Sequence, residues 1–411
     1  MTQTTANAIV LPPATREAAR ARLDAFLPRA GRAYARDRNV DLGPGRHENV
    51  SGLSPYLRHR LITEEEVVRA VVRAQGAQAA EKFLQEVFWR TYWKGWLELR
   101  PSVWRDYCLE RDRALARAAD DSALADDLAR AQAGETGIAC FDAWMHELAD
   151  TGYLHNHARM WAASIWIFTL ELPWALGADL FLRRLLDGDP ASNTLSWRWV
   201  AGLQTRGKTY LAREDNIATY TDGRFPRTPG LAGAAVPLDG PPHPPPLAPP
   251  MPRPVDPAPG TGLLVLDDDV AADKLAARLR PEAVTGLSLA AHRSPGAVAD
   301  AVRDFAAGAV DDTLDRLAGT GPAVTPRLSG DDAVAAVVDW ARASGLTRLV
   351  TRHAPVGPGG DFLIALAPRL EAAGVALAQD LRPFDARAWP HATKGFFAFR
   401  KHIPELIARL A

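Results

Sequence analysis

Over the first half of the chain, apolar positions recur three and four residues apart, and strict strand-like alternation is rare. The spacing predicts helices around 14–37, 63–75, 77–99, 102–118, 122–133, 138–150, 154–171, 176–187 and 192–203. The stretch from Ala235 to Pro259 breaks the pattern and contains Pro241-Pro242-His243-Pro244-Pro245-Pro246. Proline removes backbone donors and favours extended chain, so this segment reads as a semi-rigid linker. Beyond it the rhythm changes to short apolar runs alternating with helical stretches. Gly262–Leu266, Val284–Leu289, a weaker run near Val324, Thr347–Val350 and Val375–Ala378 read as buried strands. Helices are expected at 296–318, 331–344 and 361–373. The expected architecture is an all-helical unit over 1–230, a linker over 231–260, and a doubly wound parallel α/β unit, Rossmann-like in outline, over 261–411. No GxGxxG phosphate fingerprint accompanies those strands, and the chain has no internal repeat.

Composition narrows the function classes. The 411 residues suit two domains, and 47% hydrophobic with 24% charged residues is ordinary for a globular protein. No run of 18 uncharged apolar residues occurs, so no membrane span is expected. Met1 to Pro12 lacks the charge and apolar core of a secretory signal. The two cysteines, Cys108 and Cys140, cannot build a disulfide framework or an iron–sulfur site, and a reducing cytoplasm is the expected setting. Net charge is −1, so any footprint for nucleic acid must be a local patch. Ten of the 12 tryptophans fall between Trp89 and Trp199. That density implies a large packed core, an aromatic binding site, or a path for electrons.

Several phrases in that segment carry candidate chemistry. Glu86, Trp89, Arg90 and Trp93 stand at i, i+3, i+4 and i+7, on one helix face. Either they form a functional face or Glu86 and Arg90 pair beside two core indoles. Asn156, Arg159 and Met160 repeat the spacing, with Gly152 and His155 at the helix start. An asparagine there can read the edge of a heterocycle or sit near a helix terminus without function. His157 reads as a solvated polar residue, and no third ligand completes a metal site with it and His155. Asp187, Asp189 and Asn193 either cap a helix or contact a cation or ring N–H groups. Trp197 and Trp199 flank Arg198, so one can line a pocket while the other packs inward. Ser51-Gly52-Leu53-Ser54-Pro55 suits a phosphate at a helix start, or a serine N-cap followed by proline.

In this order, these phrases resemble the FAD-binding helical domain of the photolyase/cryptochrome family, over roughly residues 30–225. The resemblance implies a bent FAD, with Tyr34, Ser51, Leu53 and Ser54 at its phosphates. Arg90, Asn156, Arg159, Asp187, Asp189 and Asn193 would lie around the flavin and ribityl chain, Arg159 and Asp187 as an ion pair beside the ring. Glu86 and Asn156 would hydrogen-bond a flipped-out pyrimidine dimer, and Trp89, Met160 and Trp199 would pack against it. Relatives acting on (6–4) photoproducts carry histidine where this chain has Asn156 and Met160, so the resemblance is to the cyclobutane-dimer class. It implies blue-light-driven repair of UV-damaged DNA by electron transfer from reduced FAD. The alternative is a cryptochrome-like photoreceptor without repair.

The chain departs from the family in places. The family's Thr-Ser-Arg-Leu-Ser is Val50-Ser51-Gly52-Leu53-Ser54 here, which loses a hydroxyl and a cation near the phosphates. The loop after Trp199 reads Lys208-Thr209-Tyr210-Leu211-Ala212, with Asp215-Asn216 following. Trp197 and Trp174 match the first two members of the family's photoreduction chain. The third position lands near Asp121, which leaves Trp166 or Trp161 as substitutes, or a shortened chain. Family members carry an antenna α/β domain before the helical one, whereas here the α/β pattern follows it. Its closing phrase Gly395-Phe396-Phe397-Ala398-Phe399-Arg400-Lys401 is similar to the phrase ending that domain, so a permuted order is expected. No antenna pigment is assigned.

Overall fold

The structure, a computed structural model, describes residues 11–251 and 255–410. The first part is helical: α1 (Arg16–Phe26), α2 (Arg32–Asp37), α3 (Ser54–His59), α4 (Glu64–Gln75), α5 (Glu81–Glu98), α6 (Ser102–Asp120), α7 (Ser122–Ala133), α8 (Ala139–Thr151), α9 (Asn156–Ser164), α10 (Trp174–Arg184), α11 (Pro190–Val200) and α12 (Glu214–Tyr220). Local chemistry sets many of these ends. Thr63 and Glu66 form a reciprocal capping box at α4. Asp121 caps α7, and Gly134 closes it in the left-handed conformation. The helix expected over 14–37 is two helices, because Pro28 sits in a 3-10 turn, Leu27–Arg29, and Gly31 precedes α2. The one expected over 154–171 ends in a π-helical turn at Ile165–Thr169.

The second part is α/β: β1 (Thr261–Leu266), α13 (Asp273–Leu279), β2 (Ala283–Leu287), α14 (Asp300–Leu317), β3 (Ala323–Val324), α15 (Ala333–Ala343), β4 (Arg348–Arg352), α16 (Pro358–Ala372), β5 (Ala376–Asp380), α17 (Pro383–Ala388), α18 (Phe396–Phe399) and α19 (Ile403–Ala408). The five strands are parallel in the order β3-β2-β1-β4-β5, so strand order reverses between β1 and β4. The fold is thus α plus doubly wound α/β, as the pattern of apolar runs predicts. Among the described residues the proline-rich segment forms no helix or strand. It lies on the helices: Leu247 N donates to Leu99 O at 2.8 Å, Arg100 Nε donates to Pro244 O at 3.2 Å, and His243 meets Trp96 edge-on.

One hydrophobic core runs from α1 through α11 and continues into the α/β part, where it includes Val265, Leu275, Phe305, Phe384 and Phe399. A separate core, with Val337, Trp340, Leu349 and Leu366, covers the other side of the sheet. Charge locks the two parts together. Arg58-His59-Arg60, at the end of α3, meets Asp267-Asp268-Asp269, the residues following β1. Arg58 Nη2 pairs with Asp268 at 2.8 Å, and His59 donates from Nδ1 to the Asp267 carbonyl. Arg60 Nη1 bonds Asp269 at 2.9 Å while its Nη2 forks onto Asp385 at 2.9 and 2.7 Å. Asp269 is also gripped by Arg382. Arg60 carries a left-handed φ of 57°, which turns its side chain out of the helix line at the cost of backbone strain.

Removing one partner of a buried pair strands the other. Asp269→Asn is expected to lower unfolding free energy by about 3–5 kcal/mol, read as a denaturant midpoint shift. Burial, then the guanidiniums of Arg58 and Arg293, push the His59 imidazole well below its ordinary value, so it folds neutral. Its contribution to stability is therefore complete above about pH 6.5 and is lost as pH falls below that value, where the unfolded chain takes up a proton the fold refuses. Urea midpoints of the protein should drop from pH 7.5 to pH 5, and His59→Gln should flatten that drop. An equal slope in the variant would remove His59 as the cause.

Candidate active site

Helices α5, α9 and α11 carry most of the singled-out residues, and α11 packs against both of the others. At the start of α11, Asp189 accepts from Ser192 N at 2.7 Å and Pro190 takes the first turn, so the capping reading holds. The same carboxylate also draws in two cations of α5, with Lys94 Nζ at 3.6 Å and Arg90 Nη1 at 3.8 Å. Burial opposes ionisation of Asp189, but Lys94, Arg90 and Arg58 outweigh it and hold the group far below the usual carboxylate range. Asp187 is forked by Arg159 at 3.0 and 2.8 Å. Burial raises its pKa, and Arg159 lowers it further still, so the pair is ionic. Asn193 donates to Ala178 O at 2.7 Å, which anchors α11 to α10.

Glu86 does not pair with Arg90. Its carboxylate is bonded by Arg38, just past α2, while Arg90 turns toward Asp189 and the Ser54 carbonyl, 3.5 Å away. The intrahelical pair considered from spacing is thereby replaced by two pairs across helices. Asn156 is exposed, with Nδ2 3.8 Å from Met160 Sδ along the same face of α9. Trp89 is half-buried and stacks on Phe396 of α18, centroids 3.6 Å apart and planes 11° apart. Trp199 stacks on Tyr210 at 5.6 Å, so the unusual loop after it covers one face of that indole. Asn216 in the same region accepts from Trp161 Nε1 at 3.0 Å.

His157 corrects the sequence reading. It is not a solvated residue: it is half-buried, Nδ1 donates to Asn39 O at 2.6 Å, and its ring stacks on Trp161 at 5.2 Å. Among the described residues no cluster of metal-ligating side chains occurs. Tyr34 is buried edge-on between Phe26 and Phe83, beneath Arg38. The serine N-cap followed by proline is not formed: Ser54 is the first residue of α3, and the N-cap is Leu53, without a side-chain bond. The Ser51 carbonyl accepts from Arg22 Nε at 2.6 Å. A Cβ at Gly52, which has φ 62°, would meet that same guanidinium at 2.6 Å. Arg22 thus brings to this loop the cation missing from its sequence. Arg22, Arg38 and Lys94 escaped the sequence reading, and only Lys94, one turn after Arg90, gave a signal in spacing.

The indoles behind the site are also ordered. Trp197 lies 5.1 Å from Phe181 and 6.3 Å from Trp166, edge-on to each. Gly177 is required there, because a Cβ would overlap the Trp197 ring and press on Trp166. Trp174 donates to Glu110 at 2.6 Å and lies 5.8 Å from Tyr107, which is 5.2 Å from Trp104. Trp161 instead stacks on Trp144 at 5.4 Å.

Residues 83–222 match the family model described as the FAD binding domain of DNA photolyase. The chain is 34% identical over 208 residues to a deoxyribodipyrimidine photo-lyase of Streptomyces griseus, covering 46% of this chain and 43% of that protein. It is 35% identical over 208 residues to a protein of the same name from Thermus thermophilus, covering 49% of this chain and 46% of that protein. A solved bacterial class III photolyase from Agrobacterium tumefaciens aligns at 27% identity with a TM-score of 0.42, over 50% of this chain and 42% of that one. The chain spans less than half the length of these curated relatives. Its cofactor is FAD. Buried atoms without a hydrogen bond fit such a group: Arg90 Nη1, in ionic contact only with Asp189, and Ser192 Oγ could bond the acceptors and donors that a flavin nucleotide carries. Over its helical part, the chain is thus similar to the FAD-binding domain of DNA photolyases.

Proposed function

We propose that this protein repairs cyclobutane pyrimidine dimers in DNA under blue light. The observation that supports the reading is the packing of α11, which carries Trp199, against both α5, which carries Glu86 and Trp89, and α9, which carries Asn156, Met160 and the Arg159 paired with Asp187. FAD, when bound and reduced, supplies the light-driven electron. The chain's own residues do the rest. Ser51, Leu53, Ser54 and Tyr34, joined by Arg22, hold the phosphate end. Arg90, Asp189, Asn193 and the Arg159–Asp187 pair orient the ring end and keep it in a charged, water-poor setting. Trp89 and Trp199 offer the faces not taken by Phe396 and Tyr210 to flipped bases, and Asn156 reads their edges. Glu86 is held for the same task by Arg38. Trp197, with Trp166 beside it, would relay electrons toward the flavin, and Trp174 would do so with Tyr107 and Trp104 next to it.

A photoreceptor without repair is the second reading. It is favoured by the same two stacks, since each indole has already spent one face on an aromatic of its own chain. A blue-light assay on dimer-containing single strands with chemically reduced, flavin-loaded protein decides between them. Reversal of dimers is expected, and its absence would leave the photoreceptor. Glu86→Ala should lower the repair rate roughly 10- to 100-fold, the cost of one lost hydrogen bond to a buried base edge. Arg159→Ala should strip or loosen the flavin, seen as a lower ratio of visible to ultraviolet absorbance in purified protein. An unaltered flavin spectrum would reject the placement of the Arg159–Asp187 pair beside the ring.

A further inference from the structure

A cavity lies away from α9 and α11, in the cleft between α1 and α4 on one side and the α/β part on the other. Its volume is about 400 Å³, within the range of small-molecule sites. Seven of its twelve lining residues are arginine or lysine, and three are acidic. Ala271, just beyond β1, and Arg352, which ends β4, both line it. It therefore sits at the carboxyl ends of the two strands between which strand order reverses, where open α/β sheets bind ligands.

The lining cations fall into two sets. Arg352, Arg382 and Arg316 are braced from behind by Asp380, Asp269 and Asp312. Arg16 is bonded by Glu66. These are held rigidly. Arg20, 3.7 Å from Glu66, Arg69, bonded among the described residues to the Leu410 carbonyl through Nε, and Lys274, exposed, keep hydrogen-bonding capacity in hand. A second observation points to a ligand. The Arg352 side chain is 90% buried, and its Nε has no partner. Burial and the neighbouring Arg382 push that guanidinium down to about 10, a charge crowded by its own kind. An oxyanion beside it would relieve both deficits. No aromatic residue lines the cavity, so nothing there stacks a base or a planar chromophore.

We propose that this cleft binds a compact multivalent phosphate, of the pyrophosphate type, that staples the helical and α/β parts together. Forked guanidiniums match phosphate oxygens, and several converging cations favour an ion of more than one negative charge. The site is independent of the dimer-repair reading. The test is thermal unfolding of the full-length, flavin-loaded protein titrated with sodium pyrophosphate at constant ionic strength, with citrate and sulfate in parallel. Pyrophosphate is expected to raise Tm saturably, with a dissociation constant of about 1 mM or tighter. Arg20→Gln with Lys274→Gln should weaken it at least about tenfold, and the flavin absorbance should not change. Both of these residues are exposed, so the variant keeps the fold. No saturable rise, an equal effect of citrate or sulfate, or full binding by the double variant would each overturn the proposal.

Discussion

Three consecutive basic residues facing three consecutive aspartates hold this molecule in one piece. Arg58, His59 and Arg60 leave α3 just as its backbone turns left-handed, and each finds a partner among Asp267, Asp268 and Asp269. Such pairs gain little over a well-packed apolar contact, because two ions must leave water to make them. What they supply is position. An apolar seam can slide by a residue at small cost, whereas a guanidinium forked on two carboxylates cannot. The same short segment also reaches the site: Arg58 Nε donates to Gly188 O at 2.9 Å, in the loop between Asp187 and Asp189. The seating of the α/β part and the placing of the two site aspartates are thus one mechanical problem.

That coupling extends to the aromatic wall. Phe396 lies far along the chain from the helical part, yet it forms the stacking partner of Trp89. Tyr92 in turn donates to Lys394 O at 2.9 Å, and Arg100 donates to Thr393 O at 2.7 Å, so α5 and the turn after it grip the chain just before α18. The proline-rich segment follows the same logic, lying against the end of α5 and the turn after α11 by way of Leu99, Arg100, Ala201 and Gln204. A stiff strap tied at several points leaves the part beyond it few places to go, and the ion pairs choose among them.

The fold was legible because its signals are local. The period of α5, the capping Asp189 followed by Pro190, and the apolar runs that became parallel strands are all readable within a dozen residues. The site was legible in part, through phrases whose order resembles a family's. What stayed hidden was pairing at long range. Spacing offered Arg90 as the partner of Glu86, but Arg38, 48 positions away, took it. His157 looked solvated until Asn39 and Trp161 closed over it. Gly52 reads as a lost cation, and nothing in the neighbouring sequence tells that Arg22 of α1 fills the gap. Short helices such as α13, α17 and α18 escaped for a related reason: four to seven residues are too few for a period to declare itself.

Charge balance at the heart of the site takes the synthesis one step further. Asp189 is a single negative charge, yet Lys94, Arg90 and Arg58 all lower its pKa, and Lys94 and Asp189 are each about 98% buried. Burial pushes the Lys94 ammonium below its ordinary value, and Asp189 restores only part of that. Arg90 Nη1 meanwhile stays without a hydrogen bond. Arg58 is answered by Asp268 and Lys94 also feels Glu64, so the charges around Asp189 are shared among several pairs rather than left over. What stays open is the Arg90 donor, and a buried donor without a hydrogen bond is costly until a partner reaches it. Under the proposed function that partner would come with the flavin, whose binding would then raise folding stability.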